Sequence, residues 1–208
     1  MNIFEIIKQT KIIPVVKIDD AGATEPLVSA IIGGGINVAE ITYRTNAARE
    51  AIEIAAKAFP DAAVGAGTVL TLGQAEEAFD SGAKFIVSPG FSEDLGAFCI
   101  EKKIPYFGGA VTPTEIMKAL AMGFDTVKYF PASVFGGIAG MKALSGPFPS
   151  LKFIPTGGIN LQNLREYLSF DKIIACGGSW MVKDELIKAG DFKKIEALCR
   201  ESLEETRK

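Results

Sequence analysis

Eight times along this chain a short run of apolar and β-branched residues gives way to a helical pattern, with glycine or proline at most of the joints. Parallel sheets need such alternation, because each parallel strand must be carried back to its neighbour's starting end by a crossover. The predicted strands are 11–18, 36–44, 62–68, 84–88, 104–107, 125–130, 152–155 and 172–176. A short helix over about 2–9 precedes them. Helices are predicted over about 22–33, 46–58, 71–81 and 92–102, then from Thr112 to Gly123, and over 138–144 and 161–168. A last helix runs to the C-terminus, with a charged, frayed end at Glu204 to Lys208. Thr112-Pro113-Thr114-Glu115 combines a capping box with proline at the first helical position, and Asn160 is placed to cap the helix after it.

Eight strand–helix units in 208 residues fit an α/β chain folded as a compact (β/α)₈ TIM barrel, with the short helix in front. A doubly wound open sheet is the main competitor. It would have to bury Glu40, Thr42, Arg44 and Thr68 under covering helices, whereas a barrel mouth accommodates them. No linker or change of composition interrupts the chain, so residues 1–208 are expected to form one domain.

Composition removes several chemistries. The chain has no histidine, which excludes histidine metal sites, Ser-His-Asp triads and imidazole acid–base catalysis. No metal or cofactor is implied. Its three cysteines, Cys99, Cys176 and Cys199, form no Cys-x-x-Cys pair and are expected as reduced thiols. A net charge of -3 provides no nucleic-acid footprint. No basic-then-apolar leader or membrane-length apolar run appears, so the expected location is the cytoplasm.

Chemistry in a barrel sits at the C-terminal ends of the strands. There the first strand offers Lys17, and the second Glu40, Thr42 and Arg44 on one face. The third offers Thr68 behind Gly65 and Gly67, and the fourth ends in Ser88-Pro89-Gly90. The sixth carries Lys128, with Thr126 and Phe130 on the same face. The seventh and eighth end in Thr156-Gly157-Gly158 and Gly177-Gly178-Ser179, where barrels commonly hold phosphate on backbone N–H groups. Lys84 and Lys152 stand at strand beginnings, on the opposite, stabilising face.

Taken alone, Lys128 reads more readily as a lysine whose stem packs while its ammonium reaches water than as an amine in a dry pocket where the neutral, nucleophilic form is favoured. Glu40 supplies a carboxylate partner, and Arg44 is an alternative partner for that carboxylate. A lysine and a carboxylate beside a phosphate site suit imine chemistry, in which the amine attacks a ketone and the acid shuttles protons. Arg44 suits bidentate recognition of a substrate carboxylate. Lys17 is at the correct end to bind an anion or to act as the nucleophile itself.

These residues occur in motifs that resemble the 2-keto-3-deoxy-6-phosphogluconate (KDPG) / 4-hydroxy-2-oxoglutarate (KHG) aldolases. The motifs are Glu40-Ile-Thr-Tyr-Arg44-Thr45, Gly65-Ala-Gly-Thr68-Val69, Ser88-Pro-Gly90, Thr112-Pro-Thr-Glu115, Lys128-Tyr-Phe-Pro-Ala132, Gly146-Pro-Phe148, Pro155-Thr-Gly-Gly-Ile159 and Gly177-Gly-Ser-Trp180. They follow in order over nearly the whole chain. The resemblance implies a class I aldolase, with Lys128 forming the Schiff base and Glu40 as general acid–base. It implies substrate binding by Arg44 and Thr68, with Pro89, Lys17 and Thr156 as further candidates, and phosphate at Gly157, Gly158, Gly178 and Ser179. The family splits the six-carbon keto-acid phosphate into pyruvate and glyceraldehyde 3-phosphate, in the Entner–Doudoroff pathway. Some members cleave 4-hydroxy-2-oxoglutarate to pyruvate and glyoxylate, and members are homotrimers. Gly108, Ser133 and Lys17 depart from the family's usual Pro, Glu, and apolar residue or Arg. Remaining alternatives are an aldolase preferring 2-dehydro-3-deoxy-6-phosphogalactonate, a phosphosugar isomerase or epimerase on the same barrel, and a non-catalytic sugar-phosphate sensor.

Overall fold

The computed structural model describes residues 2–207. Helix α1 (Ile3–Thr10) starts at an Asn2 cap and closes the bottom of the barrel. The strands are β1 (Ile12–Val16), β2 (Val38–Thr42), β3 (Ala63–Gly67), β4 (Ile86–Val87), β5 (Tyr106–Phe107), β6 (Thr126–Tyr129), β7 (Lys152–Pro155) and β8 (Cys176–Gly178). Between them run α2 (Thr24–Gly33), α3 (Ala48–Ala58), α4 (Leu72–Asp80), α5 (Glu93–Lys102), α6 (Pro113–Ala121), α7 (Gly137–Ser145) and α8 (Leu164–Leu168). After β8 come α9 (Asp184–Lys188) and α10 (Phe192–Glu205).

All the strand pairs are parallel. Six strands form one curled sheet in the order β5-β4-β3-β2-β1-β8, and β6 pairs with β7. Two seams close the ring. At one, Lys128 N–H donates to Gly108 O (3.0 Å) and Lys128 O accepts from Ala110 N–H (2.9 Å). At the other, Phe153 N–H donates to Lys172 O (2.8 Å), and Thr156 pairs with Gly177. The result is the (β/α)₈ barrel, not the open sheet.

The capping box of α6 is formed as the sequence predicts, with Glu115 Oε2 accepting from Val111 N–H and Thr112 N–H at 2.9 Å each. Gly35, Gly82 and Gly123 end their helices at φ near +90° (89°, 94° and 87°), where a side chain would be strained. Lys84 and Lys152 lie at the bottom as expected: Lys84 Nζ donates to Ala62 O (2.7 Å), and Lys152 faces Asp125 (3.7 Å).

Three boundaries differ from the sequence reading. The expected strand 172–176 makes a single pair with β7 at Ile173, and the regular strand starts at Cys176. Gly177 and Gly178 therefore sit inside β8, opposite Ile13 and Pro14. Asn160 caps a turn rather than a full helix: its Oδ1 accepts from Gln162 and Asn163 N–H, and α8 begins at Leu164. The C-terminal helix is two helices, broken at Gly190 (φ 68°). Its charged end is helical to Glu205, and Lys208 lies outside the described residues.

Candidate active site

Alternation along β6 turns Lys128 inward, and alternation along β2 does the same for Glu40. Their side chains meet inside the barrel, with Nζ 3.3 Å from Oε1 and both residues 2% exposed. Gly67 makes the room. A Cβ there would stand 2.1 Å from Glu40 Oε1, so the carboxyl fits only against a bare strand. The Phe130 ring, two residues past Lys128, lies 5.3 Å from Nζ, within cation–π reach. Two ionisable groups hidden from water in one contact stabilise each other, and removing either leaves the other as an uncompensated buried charge.

The rest of the mouth is arranged around this pair. Thr42 is fully buried, and its hydroxyl donates to Val16 O (2.8 Å), which makes it a tie between strands. Arg44 lies beyond the end of β2 and is exposed. It does not act as the partner of Glu40; its Nε donates to Thr68 Oγ1 (3.2 Å). Thr68 itself is held at φ 55°, an uncommon conformation for a β-branched residue. Lys17 is half-buried and ion-paired to Asp19 (3.0 Å), with Asp184 at 3.7 Å. Lys188 bridges the same two carboxylates, at 3.0 and 2.7 Å. A cavity of about 540 Å³ collects Lys17, Arg44, Ile159, Ser179 and Trp180 in its walls.

Pro89 follows β4, and its carbonyl rests on the backbone of Gly109, where a Cβ would stand 1.9 Å away. Its loop is held by the buried Tyr106 hydroxyl, 2.6 Å from Ser88 Oγ and accepting from Ser92 N–H (3.1 Å). Thr156 is buried at the end of β7, its hydroxyl against Gly177. Gly157 and Gly158 follow at φ 92° and 79°. Gly178 ends β8 and Ser179 is the first residue beyond it, exposed. Thus Lys128 and Glu40 form one buried contact, while Arg44, Lys17 and Ser179 line an open cavity and Thr68 is joined to it through Arg44.

Sequence reasoning did not single out Phe130 as a site residue, although its spacing put it on the face of Lys128. It did not find Asn163, whose Nδ2 donates to Gly158 O (2.9 Å), nor the Asp19–Asp184–Lys188 cluster, assembled from distant segments. Burial pushes the Cys99 and Cys199 thiols up to about 12, with the Glu196 charge adding to the effect at Cys199. Burial raises Cys176 further still. None of these thiols is a ready nucleophile near neutral pH.

Fold and site together define a barrel protein equipped for amine–carboxylate chemistry at its mouth. The family model for KDPG and KHG aldolase matches residues 3–198, and the chain belongs to that family. The 2-dehydro-3-deoxy-phosphogluconate aldolase of Treponema pallidum is 44% identical, covering 98% of this chain and 97% of the relative. The KHG/KDPG aldolase of Escherichia coli K12 is 39% identical over 93% of this chain and 91% of its own. A crystal structure of the Legionella pneumophila KDPG aldolase, with pyruvate captured as a covalent carbinolamine, superposes with a TM-score of 0.92. It is 40% identical and covers 96% of this chain and 97% of its own.

Proposed function

We propose that this chain, as a one-domain enzyme over residues 1–208, cleaves 2-dehydro-3-deoxy-6-phosphogluconate to pyruvate and D-glyceraldehyde 3-phosphate through a Schiff base on Lys128. The observation that carries the reading is the buried 3.3 Å contact between Lys128 Nζ and Glu40 Oε1. A carbinolamine requires an amine, and among the lysines discussed Lys128 is the one inside the barrel beside a proton acceptor. Passing a proton to Glu40 frees the amine, which attacks the ketone carbon. Glu40 returns that proton to the carbinolamine oxygen, which leaves as water, so that the protonated imine forms and Glu40 is again a carboxylate.

Glu40 next takes the proton of the C4 hydroxyl. The C3–C4 bond breaks, the aldehyde leaves, and the bonding electrons move into the imine to form an enamine. Protonation at C3 and hydrolysis release pyruvate and return the amine. Arg44, with Thr68 and Lys17, supplies donors for the carboxylate end, and Pro89 and Thr156 line the path of the keto acid. Backbone N–H groups at Gly157, Gly158 and Gly178, with Ser179 Oγ, hold the phosphate. Cleavage of 4-hydroxy-2-oxoglutarate to pyruvate and glyoxylate follows the same steps without the phosphate.

Borohydride added with pyruvate is expected to fix a stable adduct on Lys128, located by peptide mass mapping. An adduct on Lys17 would reassign the nucleophile, and no adduct would favour an isomerase or a sugar-phosphate sensor. Lys128→Met should abolish both turnover and trapping. Glu40→Gln should still form some adduct but cleave slowly, and undiminished turnover in that variant would remove Glu40 from the chemistry. Comparing gluconate- and galactonate-derived keto-acid phosphates by pyruvate release tests the substrate; the named relatives support the former. We also assign a homotrimer and a cytoplasmic location; light scattering at the mass of one or two chains would overturn the former. No helix among the described residues is long and apolar enough to cross a membrane.

A further inference from the structure

The loop after β4 lies against the strand seam that carries Lys128. Gly109 pairs with Lys128 across that seam. Its two neighbours make both backbone bonds of Lys128: Gly108 O accepts from the Lys128 N–H (3.0 Å), and Ala110 N–H donates to the Lys128 carbonyl (2.9 Å). The Pro89–Gly90 peptide packs on the bare α-carbon of Gly109, where a Cβ would stand 1.9 Å from Pro89 O and 2.8 Å from Gly90 N. A contact this close has no slack, so whatever fixes that peptide also fixes the backbone from which Lys128 reaches Glu40. One buried phenol fixes it. Alternation puts Tyr106 on the opposite face of β5 from Phe107, and its ring packs against Phe91 and Phe124. Ser88 Oγ donates to Gly90 O, so the Tyr106 O–H donates to Ser88 Oγ (2.6 Å) while its oxygen accepts from Ser92 N–H (3.1 Å). Burial raises the Tyr106 phenol above its ordinary pKa, which keeps in place the proton that this relay needs.

We infer that Tyr106 is a positioning residue for imine formation: through Ser88 and the Pro89–Gly90 peptide, its hydroxyl sets the place of Gly109 and so of Lys128. This rests on the Schiff-base role of Lys128 proposed above. An amine attacks a ketone only from a narrow range of positions, and a small displacement of its base costs rate rather than binding. Loosening the loop should therefore slow the covalent step and leave the hold on the substrate's anionic ends intact.

The test uses Tyr106→Phe, which keeps the ring, Ser88→Ala, which cuts the same relay one bond further on, and the two together. Two readouts are taken well below the melting temperature of each variant: kcat and KM for cleavage of the six-carbon keto-acid phosphate, and the rate of adduct formation at saturating pyruvate with borohydride in excess. Each single variant is expected to lower kcat and the trapping rate about 3- to 10-fold, the equivalent of one hydrogen bond, with KM within about twofold of the parent. The double variant should fall no more than about twofold below the slower single one, because both hydroxyls act through one loop. Unchanged kcat and trapping rate in Tyr106→Phe would overturn the inference. A rise in KM alone would do so too, by leaving the loop to substrate binding, and so would losses that multiply in the double variant. If Tyr106→Phe does not fold, Ser88→Ala carries the same expectations by itself. An adduct on Lys128 that forms at the parent's rate in the variants sinks this inference alone. No adduct on Lys128 in the parent enzyme removes the Schiff-base role, and the role of Tyr106 with it.

Discussion

The glycine pairs after β7 and in β8 look alike in sequence, yet they are glycine for different reasons. Gly157 and Gly158 take φ of 92° and 79°, a backbone that L side chains rarely adopt. Gly177 and Gly178 are ordinary strand residues, and there the reason is space. A Cβ on Gly177 would stand 2.4 Å from Thr156 Oγ1, and one on Gly178 would stand 1.8 Å from the Trp180 ring. One pair bends the chain so that its N–H groups can turn towards a ligand. The other lets a threonine and an indole close over a strand. A Gly-Gly motif thus marks a place where side chains are forbidden, and only the surroundings tell whether conformation or packing forbids them.

Substitutions can break that contrast. Gly178→Ala should have the largest effect, because it drives a methyl into an indole that Ser202 pins through a 2.9 Å hydrogen bond from Nε1. Overpacking of this kind costs about 1–3 kcal/mol. At about 2–4 °C per kcal/mol for a chain of this size, the melting temperature should fall by several degrees. Activity towards both keto acids should fall with it. Gly157→Ala should cost less, about 1–2 kcal/mol of backbone strain, but act selectively, raising KM for the phosphorylated substrate more than for 4-hydroxy-2-oxoglutarate. If the two alanine variants show the same substrate profile, the distinction between bending and packing does not hold.

Smaller changes sharpen it. Asn163→Ala removes the bond to Gly158 O and should cost about 1 kcal/mol, with a rise in KM confined to the phosphorylated substrate. Ser202→Ala removes the anchor of Trp180 on the β8 side. It should lower the melting temperature by about 2–4 °C, the equivalent of one hydrogen bond in a chain of this size, with both substrates affected equally. A phosphate-selective effect of Ser202→Ala would show that the indole shapes the cradle as well as the core.

Much of this was legible beforehand. The period of two along Thr126-Val127-Lys128-Tyr129 put Lys128 on one face, and Glu40 with its glycine neighbours on the next strand announced a cleared space. The strand limits were not legible where neighbours set them. Ile173 and Ile174 read as strand by hydrophobicity, but β1 pairs with β8 only from Cys176 onwards, because register in a barrel is fixed by the adjoining strand. Lys17 read as an exposed rim cation, yet it pairs with Asp19, two residues on, and faces Asp184 from far along the chain, because a sequence does not show which nearby carboxylate a flexible side chain reaches. Gly108, unexplained by its own segment, is accounted for by two rings: a Cβ there would stand 2.6 Å from Phe91 and 3.0 Å from Tyr106. Those rings occupy the volume that a larger residue would need.

The chain contains one tryptophan, and it is the indole laid across Gly178, one residue from Ser179. All indole emission from the folded protein therefore originates beside the proposed phosphate cradle. Anion arrival at Ser179 should change the field around that ring and shift its fluorescence, while pyruvate bound at Lys128 alone should change it less. The protein thus carries its own optical probe, able to follow phosphate binding apart from carbon–carbon cleavage without any attached label.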